Sequence, residues 1–268
     1  MKKFKQALQL LGIFVISSIV VVLLLFAYLK IMYPELEIKA ALNNASGLES
    51  MIGSQMMVIL SILIAWKCKL IRLPECLKMS KEQWSKAALP LTLGICWMVC
   101  EWFAADFIDI EMSQKEIAQW DVISNSLIGC LFVSIIGPIA EELFMREGLL
   151  GCMLRSKVNP WVAIVLSGLV FGVMHANGYQ GIPAICSGIL LGILYWKTSN
   201  IVLPAIIHII NNSTSVVFDL MGDGGASNGK MYDLIGGKNA GITVCCVLAI
   251  ISLALLVKFL KRENAIAQ

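Results

Sequence analysis

Residues 137–147 read Gly-Pro-Ile-Ala-Glu-Glu-Leu-Phe-Met-Arg-Glu and lie in a run that is otherwise apolar. The stretch contains three acids and one guanidinium: Glu141, Glu142, Arg146 and Glu147. A charged side chain at the centre of a membrane helix costs about 2.5–3.5 kcal/mol. Such groups persist where they are paired, face a cavity or take part in chemistry. The stretch therefore predicts a membrane helix with a functional site inside it.

The composition predicts a polytopic membrane protein. The 268 residues are 58% hydrophobic and 15% charged, and the mean hydropathy is +0.81. Soluble domains are about 45–50% apolar and about 25% charged. The nine cysteines include no pair with zinc-binding spacing, so we interpret them as apolar packing residues. No basic patch typical of nucleic-acid binding is present. We therefore expect the lipid bilayer to surround the protein and exclude nucleic acid as a partner.

About eight apolar segments are long enough to cross ~30 Å of hydrocarbon. They lie near residues 10–30, 52–66, 87–107, 122–144, 160–178, 182–197, 201–218 and 241–260. The predicted fold is an all-α polytopic membrane protein in which residues 1–268 form a single integral membrane domain. We expect the first segment to be a retained helix, because its apolar run exceeds the 7–15 residues usual in a signal peptide.

The basic residues predict the orientation of the chain. In an eight-span arrangement most of them fall on one side of the membrane, and most loop acids fall on the other. The positive-inside rule then places both termini in the cytoplasm. The residues on the basic side are Lys2, Lys3, Lys5, Lys67, Lys69, Arg72, Lys78, Lys81, Lys86, Arg155, Lys157, Lys197, Lys258, Lys261 and Arg262.

Helical spacing separates the charged residues of the opening stretch. Glu142 and Arg146 are four residues apart and share a face, so they can form an ion pair. That pair could simply lock the helix. Glu141 points about 100° away from Glu142, and it is the carboxylate without an obvious local partner. Gly137-Pro138 precedes the cluster by one turn and is expected to kink the helix and open its backbone to a polar cavity.

The chain has two histidines, His175 and His208, and both lie in apolar segments beside other notable side chains. Phe171 precedes His175 by one helical turn. Asn211 and Asn212 follow His208 by three and four residues, so either asparagine can share its face. Each histidine alone could be a polar contact between helices. Together with the acids, they predict a polar site within the membrane.

This set of residue types suits amide hydrolysis by activated water. A carboxylate can act as general base on a water molecule that an imidazole holds. A second imidazole and a carboxamide can donate hydrogen bonds to the developing oxyanion, a contribution of about 10²–10³ per donor. One acid and two imidazoles, here Glu141, His175 and His208, could instead hold a catalytic zinc with an open coordination position. The sequence leaves both possibilities open.

The ordered motifs resemble those of the CPBP family of intramembrane proteases, which includes type II CAAX prenyl endopeptidases and bacteriocin-processing relatives. The family pattern is E-E-x-x-x-R, then F-x-x-x-H, then H-x-x-x-N. The chain matches it at three places: Glu141-Glu142 with Arg146, Phe171 with His175, and His208 with Asn212. Each motif is weak by itself, whereas the ordered set is specific, and the resemblance covers roughly residues 80–220.

The resemblance implies a role for each motif residue. Glu141 and His175 would activate the water, and His208 and Asn212 would form the oxyanion hole. Glu142, Arg146 and Phe171 would support the site. Family members have been described both as metalloproteases and as metal-independent glutamate proteases, so the resemblance does not decide whether zinc is a cofactor. Two further questions concern residues near the motifs: whether Asn211 replaces Asn212, and whether Glu101 lines the cavity.

The favoured hypothesis is an intramembrane endopeptidase that cuts a membrane-associated peptide or membrane-tethered protein. The alternative is a non-catalytic membrane protein, either a bacteriocin immunity factor or a proton-coupled transporter, because buried acids beside histidines also suit proton relays. Short loops and the charge bias favour a bacterial plasma membrane. We expect a peptide or lipoprotein precursor as the substrate, rather than a prenylated CAAX protein.

Overall fold

The computed structural model describes residues 2–37, 40, 46–108, 112–175, 178–221 and 230–262, and its regular structure is helical throughout those residues. We number the α-helices of this part of the chain in order. They are α1 Lys5–Met32, α2 Gly47–Lys67, α3 Lys81–Ser85, α4 Ala88–Ala105, α5 Gln114–Ser124, α6 Leu127–Arg155, α7 Pro160–Met174, α8 Gly178–Thr198, α9 Val202–Met221 and α10 Lys238–Leu260.

Seven of the eight apolar segments predicted from the sequence centre on one helix each, whereas segment 122–144 runs from the end of α5 into α6. The polytopic all-α class is confirmed. Within the described residues, six helices are long and apolar enough to cross a membrane: α1, α2, α4, α6, α8 and α10. Helix α7 is apolar but has 15 residues. Helix α9 has 20 residues and carries His208 and both asparagines. The count of eight spans therefore stays a prediction.

Helix α6 changes its hydrogen-bond register twice, with π-helical turns at Phe132–Ile136 and Leu143–Leu150. In the first turn the N–H of Gly137 bonds to the carbonyl of Phe132, five residues back. The next residue, Pro138, has no N–H to give. The carbonyl of Val133 thus has no main-chain donor at either i+4 or i+5. The break expected at Gly137-Pro138 takes the form of this register change, and π turns often occur at functional sites.

Helix α6 is the central element of the fold, packed by α1, α2, α7, α8 and α9. Its side chains include the fully buried Phe144, Met145 and Leu150. Phe144 packs against Phe14 of α1, with 5.3 Å between the ring centroids. Arg146 is the largest fully buried side chain among the described residues. A buried guanidinium in the middle of the core indicates that α6 carries a polar site.

A second buried charge lies further along α6. The Glu147 side chain is fully buried and accepts hydrogen bonds from Arg72 Nε and Arg155 Nη1, each at 2.8 Å. The hydroxyl of Tyr195 on α8 donates to the same carboxylate at 2.6 Å. The neighbouring Gly151 leaves room for this cluster, since a Cβ there would lie 2.8 Å from the Tyr195 hydroxyl. Glu147 therefore ties the segment after α2, the end of α6 and α8 together.

Helices α7 and α8 approach each other closely through glycines. A Cβ on Gly188 would lie 3.0 Å from the Cα of Gly168, and a Cβ on Gly168 would meet the main chain of Ile185 at 3.2 Å. Small residues allow membrane helices to pack backbone to backbone. This contact holds the end of α7, where Phe171 and His175 lie, against the rest of the bundle.

Two connections are short and helical in part. Ser80 caps α3 through a capping box, in which Ser80 Oγ accepts from Gln83 N at 3.1 Å and Gln83 Oε1 accepts from Ser80 N at 2.8 Å. Between α9 and α10, residues 222–229 lie outside the described residues, and the part that follows them contains one helical turn, Met231–Ile235.

Candidate functional site

The pair predicted from helical spacing is confirmed and extends to a third residue. Glu142 and Arg146 are both fully buried, with 2.8 Å between Arg146 Nε and Glu142 Oε2. The other carboxylate oxygen of Glu142 lies 3.2 Å from His208 Nδ1. A carboxylate only accepts hydrogen bonds, so the Nδ1 of His208 carries a proton. Glu142 thus links α6 to α9 by bridging a guanidinium and an imidazole.

Glu141 takes its partners from other helices, as its position on a separate face predicted. Gln55 Nε2 of α2 donates to Glu141 Oε1 at 3.4 Å. His208 Nε2 lies 3.8 Å from the other oxygen, and one-fifth of the Glu141 side chain is exposed. Gly137 makes room for Gln55, because a Cβ there would lie 3.1 Å from Gln55 Nε2. Glu141 is therefore held in place but remains accessible from a cavity.

The ring of Phe171 contacts both imidazoles and the buried guanidinium. Its centroid is 4.8 Å from that of His175 and 5.8 Å from that of His208, with interplanar angles of 85° and 89°. The guanidinium carbon of Arg146 lies 4.9 Å from the same centroid. The spacing of one helical turn between Phe171 and His175 thus corresponds to a direct ring contact. The ring fixes the relative positions of three charged or titratable groups that come from three helices.

The tautomer of His175 follows from a single contact at the end of α7. Its Nδ1 lies 2.9 Å from the carbonyl oxygen of Phe171. Because a carbonyl only accepts, Nδ1 carries the proton. In the neutral ring, Nε2 is then the acceptor. His175 is consequently suited to accept a hydrogen bond from a water molecule or another donor.

A relay of hydrogen bonds orients the two asparagines of α9. Trp102 Nε1 donates to Asn211 Oδ1 at 3.0 Å, and Asn211 Nδ2 donates to Asn212 Oδ1 at 3.3 Å. Asn212 Nδ2 then donates to the carbonyl of Val133 at 3.0 Å. An indole N–H can only donate and a carbonyl can only accept, so the two ends of the relay determine how both amides are turned.

Two cavities meet at these residues. We call the first, about 310 Å³, the Glu101 cavity, because Glu101 lines it together with His208. We call the second, about 330 Å³, the Glu141 cavity, after the carboxylate that lines it. His175 and Asn212 line both cavities. The structure thus brings the four residues of the predicted site to the boundary between two cavities, and it places Glu101 in the first.

The arrangement does not form a metal site. Among the described side chains, no group of three or more histidines, cysteines, aspartates or glutamates is placed to hold a metal ion. Two ligands of a tetrahedral zinc lie ~3.4 Å apart, so the 3.8 Å between His208 Nε2 and Glu141 would suit a pair of ligands, but the described residues place no third ligand beside that pair. Glu141, His175 and His208 therefore do not fit as a zinc ligand set in this conformation, and the steps below involve side chains alone.

Sequence reasoning missed Gln55 and Trp102. Gln55 had a signal, since a carboxamide within the apolar run 52–66 needs a partner in the membrane. Trp102 had none, because an indole in an apolar helix is ordinary. Ser187, whose Oγ donates to Glu101 Oε2, was likewise unremarkable in the glycine-rich segment of α8. The contacts of all three residues depend on how the helices are rotated against one another.

The fold and the site define a polytopic all-α membrane protein with a glutamate, histidine and asparagine set buried beside two cavities. A family described as type II CAAX prenyl endopeptidase Rce1-like matches residues 123–214, a segment that contains every member of that set. The resemblance to the CPBP intramembrane protease family is confirmed over this segment.

Two curated relatives match parts of the chain. YdiL of Bacillus subtilis (strain 168), named as a candidate membrane peptidase, is 29% identical over 141 residues, which are 48% of this chain and 57% of the relative. The membrane-embedded CAAX protease MroQ of Staphylococcus aureus (strain USA300) is 34% identical over 96 residues, 34% of this chain and 38% of the relative. The matches thus span less than two thirds of either relative. No solved structure matches the chain significantly.

Proposed function

We propose that the protein is an intramembrane endopeptidase that hydrolyses a peptide bond of a membrane-associated peptide or protein. The observation that carries the proposal is the convergence of Glu141, His175, His208 and Asn212 at the boundary between two cavities. The family match over residues 123–214 supports the same reaction class. The names of both relatives, a membrane peptidase and a membrane-embedded CAAX protease, agree with it.

In this proposal Glu141 and His175 activate a water molecule. The water donates one hydrogen bond to the Glu141 carboxylate and the other to Nε2 of His175, which is the acceptor of that ring. Glu141 removes the first proton as the water oxygen attacks the carbonyl carbon of the substrate. When the tetrahedral intermediate collapses, Glu141 returns the proton to the leaving amine, and the products are a carboxylate and an amine. General acid–base catalysis of this kind contributes about 10²–10⁴-fold.

His208 and Asn212 stabilise the oxyanion in this scheme. Asn212 uses one N–H on the Val133 carbonyl, which aims the amide and leaves its second N–H for the substrate. His208 donates from Nδ1 to Glu142, so a donation from Nε2 requires the imidazolium form. The carboxylates of Glu142 and Glu141 together offset the charges of that form and of Arg146, which pairs with Glu142. The relay that reaches Asn212 through Asn211 favours Asn212 as the oxyanion donor.

The direct test is proteolysis by purified protein in liposomes. Glu141→Gln and His175→Ala should each lower the cleavage rate at least ~10²-fold, with the helical content of the protein unchanged. Asn212→Ala should lower kcat about 10²–10³-fold. Glu82→Gln changes an exposed carboxylate on α3 and serves as the control. Cleavage at the wild-type rate by Glu141→Gln would rule out the proposed mechanism.

The same contacts keep one alternative in view, a proton-coupled transporter. Glu141, His208 and Glu142 form a line of titratable groups separated by 3.8 and 3.2 Å, which is a geometry suited to proton transfer. Proton uptake into liposomes distinguishes the two functions. A transporter would carry protons without cleaving peptides, and the peptidase would cleave peptides without a proton gradient.

We also propose that the protein lies in a bacterial plasma membrane with both termini in the cytoplasm. The support is the positive-inside bias of the loops and the bacterial origin of the two relatives. A reporter enzyme that is active only on the external side of the membrane should be inactive when it is fused after Arg262.

A further inference from the structure

The Glu101 cavity contains a carboxyl group without a basic partner in its described lining. Glu101 is the one carboxylic acid among those lining residues, and none of them is lysine or arginine. Glu101 lies one turn before the end of α4 at Ala105. No lysine or arginine in the described part of the chain forms an ion pair with it. An acid in a membrane helix normally has a partner, and the described residues give this one no lysine or arginine as a partner.

The carboxylate of Glu101 is only partly satisfied by hydrogen bonds. Ser187 Oγ donates to Oε2. The other oxygen, Oε1, is buried and has no hydrogen-bond partner of good geometry, although the indole of Trp97 lies nearby. A buried polar atom without a partner costs about 1–3 kcal/mol, and more for a charged group. A cationic group held beside the carboxyl group would offset that cost.

The walls around this carboxylate suit a cation with an apolar stem. Three indoles, Trp97, Trp102 and Trp120, line the cavity together with the ring of Phe171. Aromatic faces attract ammonium and guanidinium groups, by about 2 kcal/mol or more when the site is desolvated. Leu190 and Leu191 of α8 supply aliphatic surface in the same cavity, against which the methylene groups of a long side chain can pack.

The cavity is continuous with the proposed catalytic residues. His175, His208 and Asn212 line it as well, so its occupant lies beside the bond that these residues would hydrolyse. A volume of about 310 Å³ is at the small end of the range of about 300–1,000 Å³ for small-ligand pockets. It is sized for one long side chain rather than for an extended segment.

We propose that the Glu101 cavity is a specificity pocket that accepts a lysine or arginine side chain of the substrate, next to the scissile bond. The side chain places its cationic head beside the carboxyl group of Glu101 and its stem along the leucines of α8. The inference rests on the proposed peptidase function, because it assigns a substrate feature to the same site.

The kinetic test uses palmitoylated fluorogenic peptides that are identical except for a lysine or a methionine scanned through successive positions. In liposomes, the wild-type protein should show a kcat/KM at least about tenfold higher for lysine than for methionine at one position. In Glu101→Gln that ratio should approach one. The control Glu82→Gln, which changes an exposed carboxylate on α3, should keep the wild-type ratio. Equal kcat/KM values for lysine and methionine at every position, or an unchanged lysine-to-methionine ratio in Glu101→Gln, would overturn the assignment of this cavity as a specificity pocket.

A binding test separates this inference from the peptidase proposal. The probe is n-hexylammonium, compared with 1-hexanol, against Glu141→Ala protein, and the readout is quenching or shift of tryptophan fluorescence. We expect at least about tenfold tighter binding of the ammonium, lost when Glu101→Gln is added. If no peptide is cleaved but this preference holds, the peptidase proposal fails and the cation pocket stands. If peptides are cleaved but the ammonium binds no better than the alcohol, the pocket is wrong.

Discussion

The side-chain amide of Asn212 donates to the main-chain carbonyl of Val133 at 3.0 Å, across the contact between α9 and α6. That carbonyl can accept this hydrogen bond because two residues of α6 do not donate to it. Gly137 gives its N–H to Phe132 instead, and Pro138 has no N–H to give. The proline and the asparagine therefore form one unit, in which a missing main-chain donor on one helix is replaced by a side-chain donor from another.

Replacing Pro138 with alanine should weaken this unit. Pro138→Ala supplies an N–H that can compete for the Val133 carbonyl or restore an α-helical turn, so Asn212 loses its fixed orientation. We expect peptide cleavage to fall by about tenfold, less than the ~10²–10³-fold loss of removing an oxyanion donor. Pro204→Ala is the matched control, since Pro204 lies in the first turn of α9, where a missing N–H breaks no helical bond. Equal activity of the two variants would contradict the argument.

Trp102 should act on catalysis through the asparagines. Trp102→Phe keeps a ring but removes the N–H that orients Asn211 and, through it, Asn212. The expected result is a kcat lowered by about tenfold with KM changed much less, because the positions of both amides become less restricted. Steady-state kinetics on one fluorogenic peptide measures both constants.

The control for that prediction is Trp161→Phe, a change on the exposed face of α7. It should leave kcat and KM at their wild-type values. If Trp102→Phe lost helical content, Trp102 would have a packing role instead. If it lost affinity for the peptide with kcat intact, Trp102 would have a binding role.

Glu147 should be a major contributor to stability. Its fully buried carboxylate is hydrogen-bonded to Arg72, Arg155 and Tyr195, and removing one charge of a buried network costs about 3–5 kcal/mol. Glu147→Gln is therefore expected to unfold at markedly lower denaturant concentration in detergent micelles. Arg72→Gln should have a smaller effect, because half of the Arg72 side chain is exposed and Arg155 still pairs with Glu147. The reverse order of the two effects would contradict this assignment.

Two cysteines near the end of α2 test the structure by their reactivity. Burial, reinforced by the charge of Glu147, raises the pKa of the Cys76 thiol to about 12, whereas Cys68 is exposed. Since the thiolate is the nucleophile, Cys76 stays protonated and unreactive until the pH approaches that value. In a variant that retains only these two cysteines, a maleimide at pH 8 should label Cys68 and spare Cys76. Comparable labelling of both in folded protein would show that Cys76 is not buried.

The parts of the site that the sequence predicted correctly are those set within a single helix. The pairing of Glu142 with Arg146 and the contact of Phe171 with His175 both follow from a spacing of four residues. The separate direction of Glu141 follows from the 100° step between neighbours. Local geometry of this kind does not depend on how the bundle is assembled.

The parts that the sequence did not predict depend on packing between helices. Whether Gln55 reaches Glu141 is decided by the rotation of α2 against α6 and by the missing Cβ of Gly137. The relay from Trp102 to Val133 crosses three helices, α4, α9 and α6. It also needs a π turn, which the spacing of residues in the sequence does not predict. Glu101 could be placed in an apolar segment, but its contact with Ser187 depends on the approach of α4 to α8.

The π turn at Phe132–Ile136 also determines how α6 responds to a change in its length. A π turn holds one residue more than the α turn that it replaces, so both turns complete one revolution. Deleting one residue from Phe132–Ile136 would therefore restore an α turn and leave the faces before and after it in nearly the same phase. The same deletion in an α-helical part of α6 would rotate the two parts against each other by about 100°. Within this helix, a single-residue deletion is easier to tolerate in the π turn than in the α-helical parts.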